Sequence, residues 1–273
     1  MIIDTHSHVQ FSAFRHDADE VIRRALAEQI WMINVGTKYE TSKNGVLLAE
    51  QYQEGVYAAI GLHPIYAAAE FVKTKTDPDE GEFLIKEQEF NKEKYKELAQ
   101  SKKVVAIGEI GLDYYYKPKT TAKLAEFKEK QKRVFIEQLQ LAQELKLPVI
   151  FHCRMAHHDL IEILQHYKGI SGTIHCFTGT PEDMQHYIDL GFFIGINGII
   201  FKLPLDEVVR QCPLEHMVLE TDCPYLTPAP EGKNRNEPLF IKHTIQKVAD
   251  LKGISVDEVI QKTTENAKRL FKI

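Results

Sequence analysis

Eight short runs of apolar and β-branched residues recur along the chain, and stretches with helical periodicity separate most of them. The runs are MIID (1–4), WMINV (31–35), VYAAI (56–60), VVAI (104–107), PVIF (148–151), TIH (173–175), FFIGI (192–196) and MVLE (217–220). Strands that alternate with helices indicate βαβ units and a parallel sheet. Eight such units in about 250 residues are typical of a TIM (β/α)8 barrel, so we expect one α/β domain over 1–273. The alternative, a doubly wound open sheet, lacks a GxGxxG motif after the first strand.

Several stretches between these runs carry helix signals. ADEVIRRALAEQ (18–29) and VFIEQLQLAQEL (134–145) repeat apolar residues at helical spacing. Thr180 is placed as the N-cap of a following helix, and SVDE (255–258) is a capping box before a last helical region. The longest connection, 64–103, is highly charged, and we interpret it as a solvated loop and helix face.

Composition and charge limit the environment and the partners. The chain has four cysteines without a CxxC pair, no apolar run of transmembrane length, and no signal-peptide pattern at its start. We therefore expect a cytoplasmic protein without membrane contact. The formal net charge of −5 argues against a broad basic face for duplex DNA, so nucleic-acid binding should be local, at a strand end or a few nucleotides. The sequence does not determine the oligomeric state, and a monomer is compatible with it.

Side chains suited to metal binding fall at or just after the carboxyl ends of six predicted strands. They are His6, His8, His63, Glu109, His152, His175 and Asp222. The C-terminal face of a TIM barrel carries the active site, so these side chains would converge at one mouth. A lone histidine at a strand end is more often a hydrogen-bonded core or loop residue. Recurrence on six strands is much harder to obtain by chance, and it predicts a metal site.

The first strand raises a separate question about burial. Asp4, His6 and His8 share one parity, so in an extended strand their side chains face the same way. Burying a carboxylate and two imidazoles is costly unless each has a partner. A metal ion would be that partner for the histidines, and we interpret Asp4 as orienting a ligand histidine or tying down a loop.

The donor types indicate how many ions are held. Imidazole suits Zn, Mn, Fe or Ni, while carboxylate also admits Mg. One catalytic ion uses about three protein ligands and keeps an open position, so four histidines with Glu109 and Asp222 exceed its needs. Two ions roughly 3.5–4 Å apart would use them all and could hold a water between them. We expect two divalent ions (Mg, Mn or Zn) per chain, with Glu109 as the bridge and Asp222 as both a ligand and the acceptor of the water's proton.

In chain order, DTHSH, GLHP, AIGEIGLDY, FHCR, HCFTG, ETDCPYL and NRNEP resemble the motifs of the TatD family of metal-dependent hydrolases and nucleases. That family belongs to the amidohydrolase superfamily of TIM barrels, and the resemblance runs from residue 1 to the C-terminus. It implies a binuclear site with one ion on His6, His8 and Asp222, the other on His152 and His175, and Glu109 between them. It also implies Mg-dependent hydrolysis of phosphodiester bonds in DNA, commonly from a 3′ end, with single-stranded DNA or DNA ends as substrate.

Further motif residues have predicted roles at the substrate. His63 could hydrogen-bond the phosphate or the leaving group, as a third catalytic residue. Arg154 and Arg235 could grip phosphate as charge-assisted, bidentate donors. Asn236 and Glu237 complete the set of candidate substrate-binding residues, although they could also simply order their loop.

Two other functions are compatible with these residues. The first is cleavage of an amide, ester or lactone in a small molecule or aminoacyl adduct, because a polarised carbonyl and a phosphoryl group can use the same ions. The two arginines favour phosphate, whereas the acidic net charge mildly favours the small molecule. The second is a non-enzymatic metal-dependent binding protein, against which the intact ligand positions argue. The favoured hypothesis is a deoxyribonuclease that acts as a 3′–5′ exonuclease.

Overall fold

The strands form one parallel sheet that closes on itself. The computed structural model describes residues 1–69 and 87–273. Its strands are β1 (Ile2–Ser7), β2 (Ile30–Val35), β3 (Val56–Ile60), β4 (Val104–Asp113), β5 (Val149–Arg154), β6 (Gly172–Ile174), β7 (Phe193–Ile196) and β8 (Met217–Leu219). They neighbour one another in chain order, and each pair is parallel. The N–H of Asp222 donates to the His6 carbonyl (2.8 Å), and the N–H of His8 donates to the Cys223 carbonyl (2.9 Å), which joins the last strand's end to the first. The expected TIM barrel is confirmed.

Helices follow most of the strands. In the described residues they are α1 (Ala18–Ala27), α2 (Tyr39–Ala49), α3 (Pro64–Ala67), α4 (Lys92–Leu98), α5 (Thr121–Leu145), α6 (His157–Leu164), α7 (Pro181–Asp189), α8 (Asp206–Gln211), α9 (Ile241–Lys252) and α10 (Val256–Phe271). The Thr180 hydroxyl accepts the N–H of Asp183 (3.1 Å), and the Ser255 hydroxyl accepts that of Glu258 (3.1 Å). Both predicted helix starts are confirmed, since such caps satisfy N–H groups that have no partner inside the helix.

Two elements are longer than their sequence patterns suggest. β4 continues through GEIGLD to Asp113 and stays buried along its whole length, with a register irregularity between Gly108 and Ile110. Its glycines allow close pairing with β5, because a Cβ on Gly111 would lie 2.0 Å from the His152 carbonyl oxygen. The first half of α5, before 134–145, packs against the end of this strand. Gln131 of α5 exchanges two hydrogen bonds of 2.9 Å with the Asp113 backbone.

The long connection 64–103 contains two of the helices. The part of its predicted solvated loop that spans 70–86 lies outside the described residues. α4 is not wholly solvated, because Tyr95 on it is buried and its hydroxyl donates to the Gly61 carbonyl (3.2 Å). This helix therefore packs against the barrel near the end of β3.

Apolar side chains fill the space between the sheet and the helices. One large cluster draws on most elements, and a second joins strand residues to Ala267, Leu270 and Phe271 near the end of α10. Within 1–69 and 87–273, we find no helix with the length and apolar character needed to cross a membrane.

Candidate metal centre

The predicted ligands meet at the carboxyl ends of the strands, as the fold requires. A cavity of about 690 Å³ opens there, a volume typical of ligand sites. Its walls include five of the six predicted ligands: His8, Glu109, His152, His175 and Asp222. The sixth, His6, is fully buried beneath them. Side chains from five different strands or strand ends are thus brought to one place.

His6, His8 and Asp222 form the first donor group. The Nε2 atoms of His6 and His8 lie 3.1 Å apart, and Asp222 Oδ1 lies 3.3 Å from His8 Nε2 and 3.7 Å from His6 Nε2. Asp222 follows β8 in the left-handed backbone region (φ 57°), a conformation that is uncommon outside glycine and is often found at functional sites. This backbone turn aims the carboxylate back toward β1.

Glu109, His152 and His175 form the second donor group. Glu109 Oε1 lies 3.0 Å from His175 Nε2 and 2.5 Å from His152 Nδ1. Its other oxygen, Oε2, lies 3.5 Å from His6 Nε2. One carboxylate therefore faces both groups, which is the position that a bridging ligand needs.

The residues fit divalent cations. Four imidazoles and two carboxylates are donor types that Zn, Mn and related ions accept. A buried carboxylate, Glu109, and a half-buried one, Asp222, in one small space also require compensating positive charge.

Histidines supply that charge within the protein itself. Burial would raise the pKa of the Glu109 carboxyl, but the charges of His175 and His152, with a hydrogen bond from His152, hold it well below its ordinary value. Burial alone would lower the pKa of His152, yet Glu109 and Asp113 raise it to about 9. The carboxylates are therefore ionised, and the charge balance at the site favours any cation that replaces those protons.

A further ring of partners fixes the imidazoles. His175 Nδ1 lies 3.2 Å from Glu220 Oε1, and His8 Nδ1 lies 2.7 Å from the Val35 carbonyl oxygen. Each of these rings thereby directs Nε2 toward the centre, as is usual for metal-binding histidines. Glu220 also accepts the Cys176 N–H (2.7 Å) and the Asn197 side-chain amide (2.9 Å). Sequence reasoning missed Glu220, although it ends the MVLE run and begins the ETDCPYL motif.

Asp4 lies apart from the donor groups despite its parity with His6 and His8. It accepts hydrogen bonds from the Thr221 N–H (2.9 Å), the Thr221 hydroxyl (2.6 Å) and the His6 N–H (3.2 Å). Burial outweighs these bonds and raises its pKa to about 8. Its side chain ties β1 to the loop that carries Asp222, which corresponds to one of the two roles considered for it.

His63 and Asp113 extend the site along β3 and β4. Asp113 Oδ2 lies 3.1 Å from His152 Nε2, and His63 Nε2 lies 3.6 Å from Glu109 Oε1. His63 Nδ1 accepts the Ile65 N–H (3.1 Å) at the start of α3. Burial and the neighbouring His152 lower its pKa to about 3, so the ring is neutral. Asp113 was not among the predicted site residues, although it belongs to the AIGEIGLDY motif.

The four remaining predicted residues divide into two sets. Arg154 lines the cavity at its rim. Arg235, Asn236 and Glu237 are not among the described residues that line it. Arg235 is paired with Asp17 and Glu237 with Arg24, while the Asn236 amide donates to the carbonyls of Thr221 and Tyr225. The structure thus places this trio beside the site, where it braces the loop after β8, and its contact with substrate stays a prediction.

Fold and donor set together define a metal-dependent hydrolase built on a TIM barrel. Comparison with known proteins specifies the family: the TatD related DNase family matches residues 3–272. The chain belongs to this family, and the resemblance seen in the motifs is confirmed.

Three similar proteins illustrate the range of the family. An uncharacterised metal-dependent hydrolase, YabD of Bacillus subtilis (strain 168), is 37% identical over 279 residues, covering 100% of both chains. A protein named 3′-5′ ssDNA/RNA exonuclease TatD, from Escherichia fergusonii, is 33% identical and covers 100% of this chain and 99% of its own. The crystal structure of YjjV, a TatD homologue from Escherichia coli K12, superposes with a TM-score of 0.81 at 29% identity, covering 100% and 98% of the two chains.

Proposed function

We propose that this metal-dependent hydrolase cleaves phosphodiester bonds of DNA and removes nucleotides from the 3′ end of a single strand. The observation that carries the proposal is the position of Glu109, whose two oxygens face two donor groups on the floor of a cavity with Arg154 at its rim. The relatives named as ssDNA/RNA exonucleases support a single-stranded substrate. The acidic net charge of −5 supports local binding of a strand end over a long duplex footprint.

The two donor groups at the bottom of the cavity would each hold one ion. His6, His8 and Asp222 would hold one divalent ion, His152 and His175 a second, and Glu109 would contact both. Such a pair supplies Lewis acidity, which activates water and stabilises charge that develops on the phosphoryl group. Mg, Mn and Zn are all compatible with this donor set.

Asp222 is the proposed acceptor of the proton from the attacking water. Burial would raise the pKa of its carboxyl, but a hydrogen bond from His8 and the charges of the nearby histidines lower it below its ordinary value. The group is therefore ionised at neutral pH and has lone pairs available. It also lines the cavity, where a substrate phosphate would lie.

His63 and Arg154 are the proposed contacts to the phosphate. Because His63 Nδ1 accepts the Ile65 N–H, the neutral ring carries its proton on Nε2. His63 would thus act as a neutral hydrogen-bond donor toward the phosphate or leaving group, not as a charged acid. Arg154 has no ion-pair or hydrogen-bond partner among residues 1–69 and 87–273 for its side chain, so its planar donors are available for phosphate oxygens.

A metal-dependence series on labelled strands tests the proposal. Protein stripped with a chelator is reloaded with Mg, Mn or Zn and incubated with 5′-labelled single-stranded DNA, and a ladder that shortens from the 3′ end is expected. Asp222→Asn, with an unchanged circular dichroism spectrum, is the matched inactive control. Cleavage confined to a panel of amides, esters and lactones would replace the nuclease proposal with the small-molecule alternative. Near-normal nuclease activity in Asp222→Asn would remove Asp222 as the proton acceptor.

A further inference from the structure

Exposed apolar and aromatic side chains are concentrated at the mouth of the cavity. Of the six large side chains of this kind that are exposed among the described residues, four line this one cavity: Tyr115, Tyr116, Met155 and Leu203. Scattered single exposures are ordinary, whereas a group of them marks an interaction site. The most exposed, Met155 at 62%, sits in the left-handed backbone region (φ 56°), so its side chain is held at the rim by an unfavourable local conformation.

Two of these side chains surround an arginine in a defined arrangement. The Arg154 guanidinium carbon lies 3.6 Å from the centre of the Tyr115 ring and 5.9 Å from that of Tyr116. The two tyrosine rings are perpendicular, with centres 4.8 Å apart. Tyr115 and Tyr116 nevertheless remain 49% and 39% exposed, so much of their surface is open to a ligand.

The chain next to these rings is basic. Lys117, Lys119 and Lys123 follow the tyrosines, all three are exposed, and no acidic residue occurs over 114–125. This local positive charge contrasts with the net charge of −5 of the whole protein. Interleaved aromatic and basic side chains are the combination by which proteins hold single-stranded nucleic acid, because bases stack on rings while cations follow the backbone.

We propose that Tyr115 and Tyr116, whose rings lie around the phosphate-binding candidate Arg154, form a stacking platform for the bases of an unpaired strand whose phosphate lies at the metal centre. The inference rests on the proposed function and names the residues that would hold the bases of its substrate. A base can stack on a side chain only when it has left the duplex stack, so the platform selects single-stranded ends. Every base offers a flat aromatic face, so the platform accepts all sequences and does not distinguish DNA from RNA.

A mutant cycle with abasic substrates tests the platform during turnover. Tyr115→Ala and Tyr116→Ala are each compared with the Phe variants, which keep the ring and remove only the hydroxyl. On a single-stranded oligothymidylate, each Ala variant should raise KM about 10-fold, the size of one base–aromatic stack, with a smaller change in kcat. The Phe variants should behave like the wild type. On a strand whose three 3′-terminal nucleotides lack bases, wild type and Ala variants should share the same high KM.

Direct binding separates this inference from the proposed function. Fluorescence anisotropy with metal-loaded protein and a phosphorothioate-linked oligothymidylate measures affinity without turnover, with Leu47→Ala as the control for an exposed apolar residue outside the cavity lining. If the wild type cleaves strands and the Ala variants bind and cleave equally well, the platform is overturned and the nuclease stands. If the wild type cleaves no strand but binds it through the tyrosines, the platform stands and the nuclease proposal falls. Absence of binding in the wild type overturns the platform.

Discussion

The two sides of the cavity mouth are built from similar residues but differ in how those residues are used. On the side of β1 and β8, the Arg235 guanidinium contacts both Asp17 oxygens (2.6 and 2.9 Å) and the Ala13 carbonyl (2.6 Å). On the side of β4 and β5, the Arg154 guanidinium lies over tyrosine rings and makes no side-chain hydrogen bond or ion pair within residues 1–69 and 87–273. The two terminal nitrogens of the Arg235 guanidinium, Nη1 and Nη2, are thus bonded within the protein, whereas those of Arg154 are available to a ligand.

The difference shows that two arginines in equally suggestive motifs can have different tasks. Arg235 pairs with Asp17 and Arg24 pairs with Glu237, so both ends of α1 are connected to the loop after β8. That network braces the backbone near Asp222. On the opposite side, no such ion pairs hold Arg154 in the described part of the chain, and the exposed rings and lysines there are suited to contact a ligand.

The largest expected effect on activity comes from a substitution of Glu109, which lies at the bottom of the cavity between its two sides. Glu109→Gln keeps the shape of the side chain but removes the charge that faces both donor groups, so kcat should fall by about 10³-fold or more, in the range of losses for essential catalytic groups. Metal content per chain, measured by mass spectrometry, should fall as well. Retention of both ions and of activity would show that Glu109 is not the bridge.

The second-largest effect on activity is expected when the side chain of Arg154 is removed. Arg154→Ala should lower kcat/KM on single-stranded DNA by about 10- to 100-fold, the effect of removing a charge-assisted contact to phosphate. The melting temperature should stay the same, because the guanidinium makes no hydrogen bond or ion pair with the described part of the chain. Arg154→Lys should recover only part of the activity, since an ammonium lacks the bidentate planar geometry.

The braced arginine should give the opposite pattern. Arg235→Ala should lower the free energy of unfolding by about 1 kcal/mol, because a partly exposed pair is screened by solvent, and reduce Tm by roughly 2–4 °C. Its effect on KM should be smaller than that of Arg154→Ala. A large rise in KM without a change in Tm would mean that Arg235 reaches the substrate, and the contrast between the two sides would disappear.

The smallest expected effect is the pH dependence of the stability that the pair of Asp17 and Arg235 contributes. The Arg235 hydrogen bond lowers the pKa of Asp17 below its ordinary 3.8, so this pair stabilises the folded state above that value. The stabilisation is lost as pH falls through the lower, folded-state pKa. The difference in unfolding free energy between the wild type and Asp17→Asn should therefore be largest near neutral pH and shrink below about pH 4, as measured by urea denaturation. A difference that is independent of pH would assign the stabilisation to packing.

Much of the barrel could be predicted from the sequence because apolar runs and polar strand ends are local signals. The full length of β4 could not, since GEIGLD combines glycines and acidic residues that are typical of a loop. The role of Glu220 could not be predicted because it depends on contacts between residues that are distant in sequence. Its buried carboxylate is explained by the hydrogen bonds to His175 and Asn197. The different roles of Arg154 and Arg235 could not be predicted either, because each arginine contacts a residue that is distant in sequence. Arg154 lies against Tyr115, and Arg235 pairs with Asp17.

The closure of the barrel brings residues near the beginning of the chain into contact with residues near its end. The bonds that join β1 to the loop after β8 link residues such as Asp4 and Thr221, which are 217 positions apart, and the first donor group spans the same junction. A cation held by His6, His8 and Asp222 would therefore act as a cross-link between the beginning and the end of the fold. Closing so long a loop removes much of the freedom of the unfolded chain. Such an ion would thereby secure the N-terminal strand as a disulfide would, and its release would begin to open the molecule at this seam.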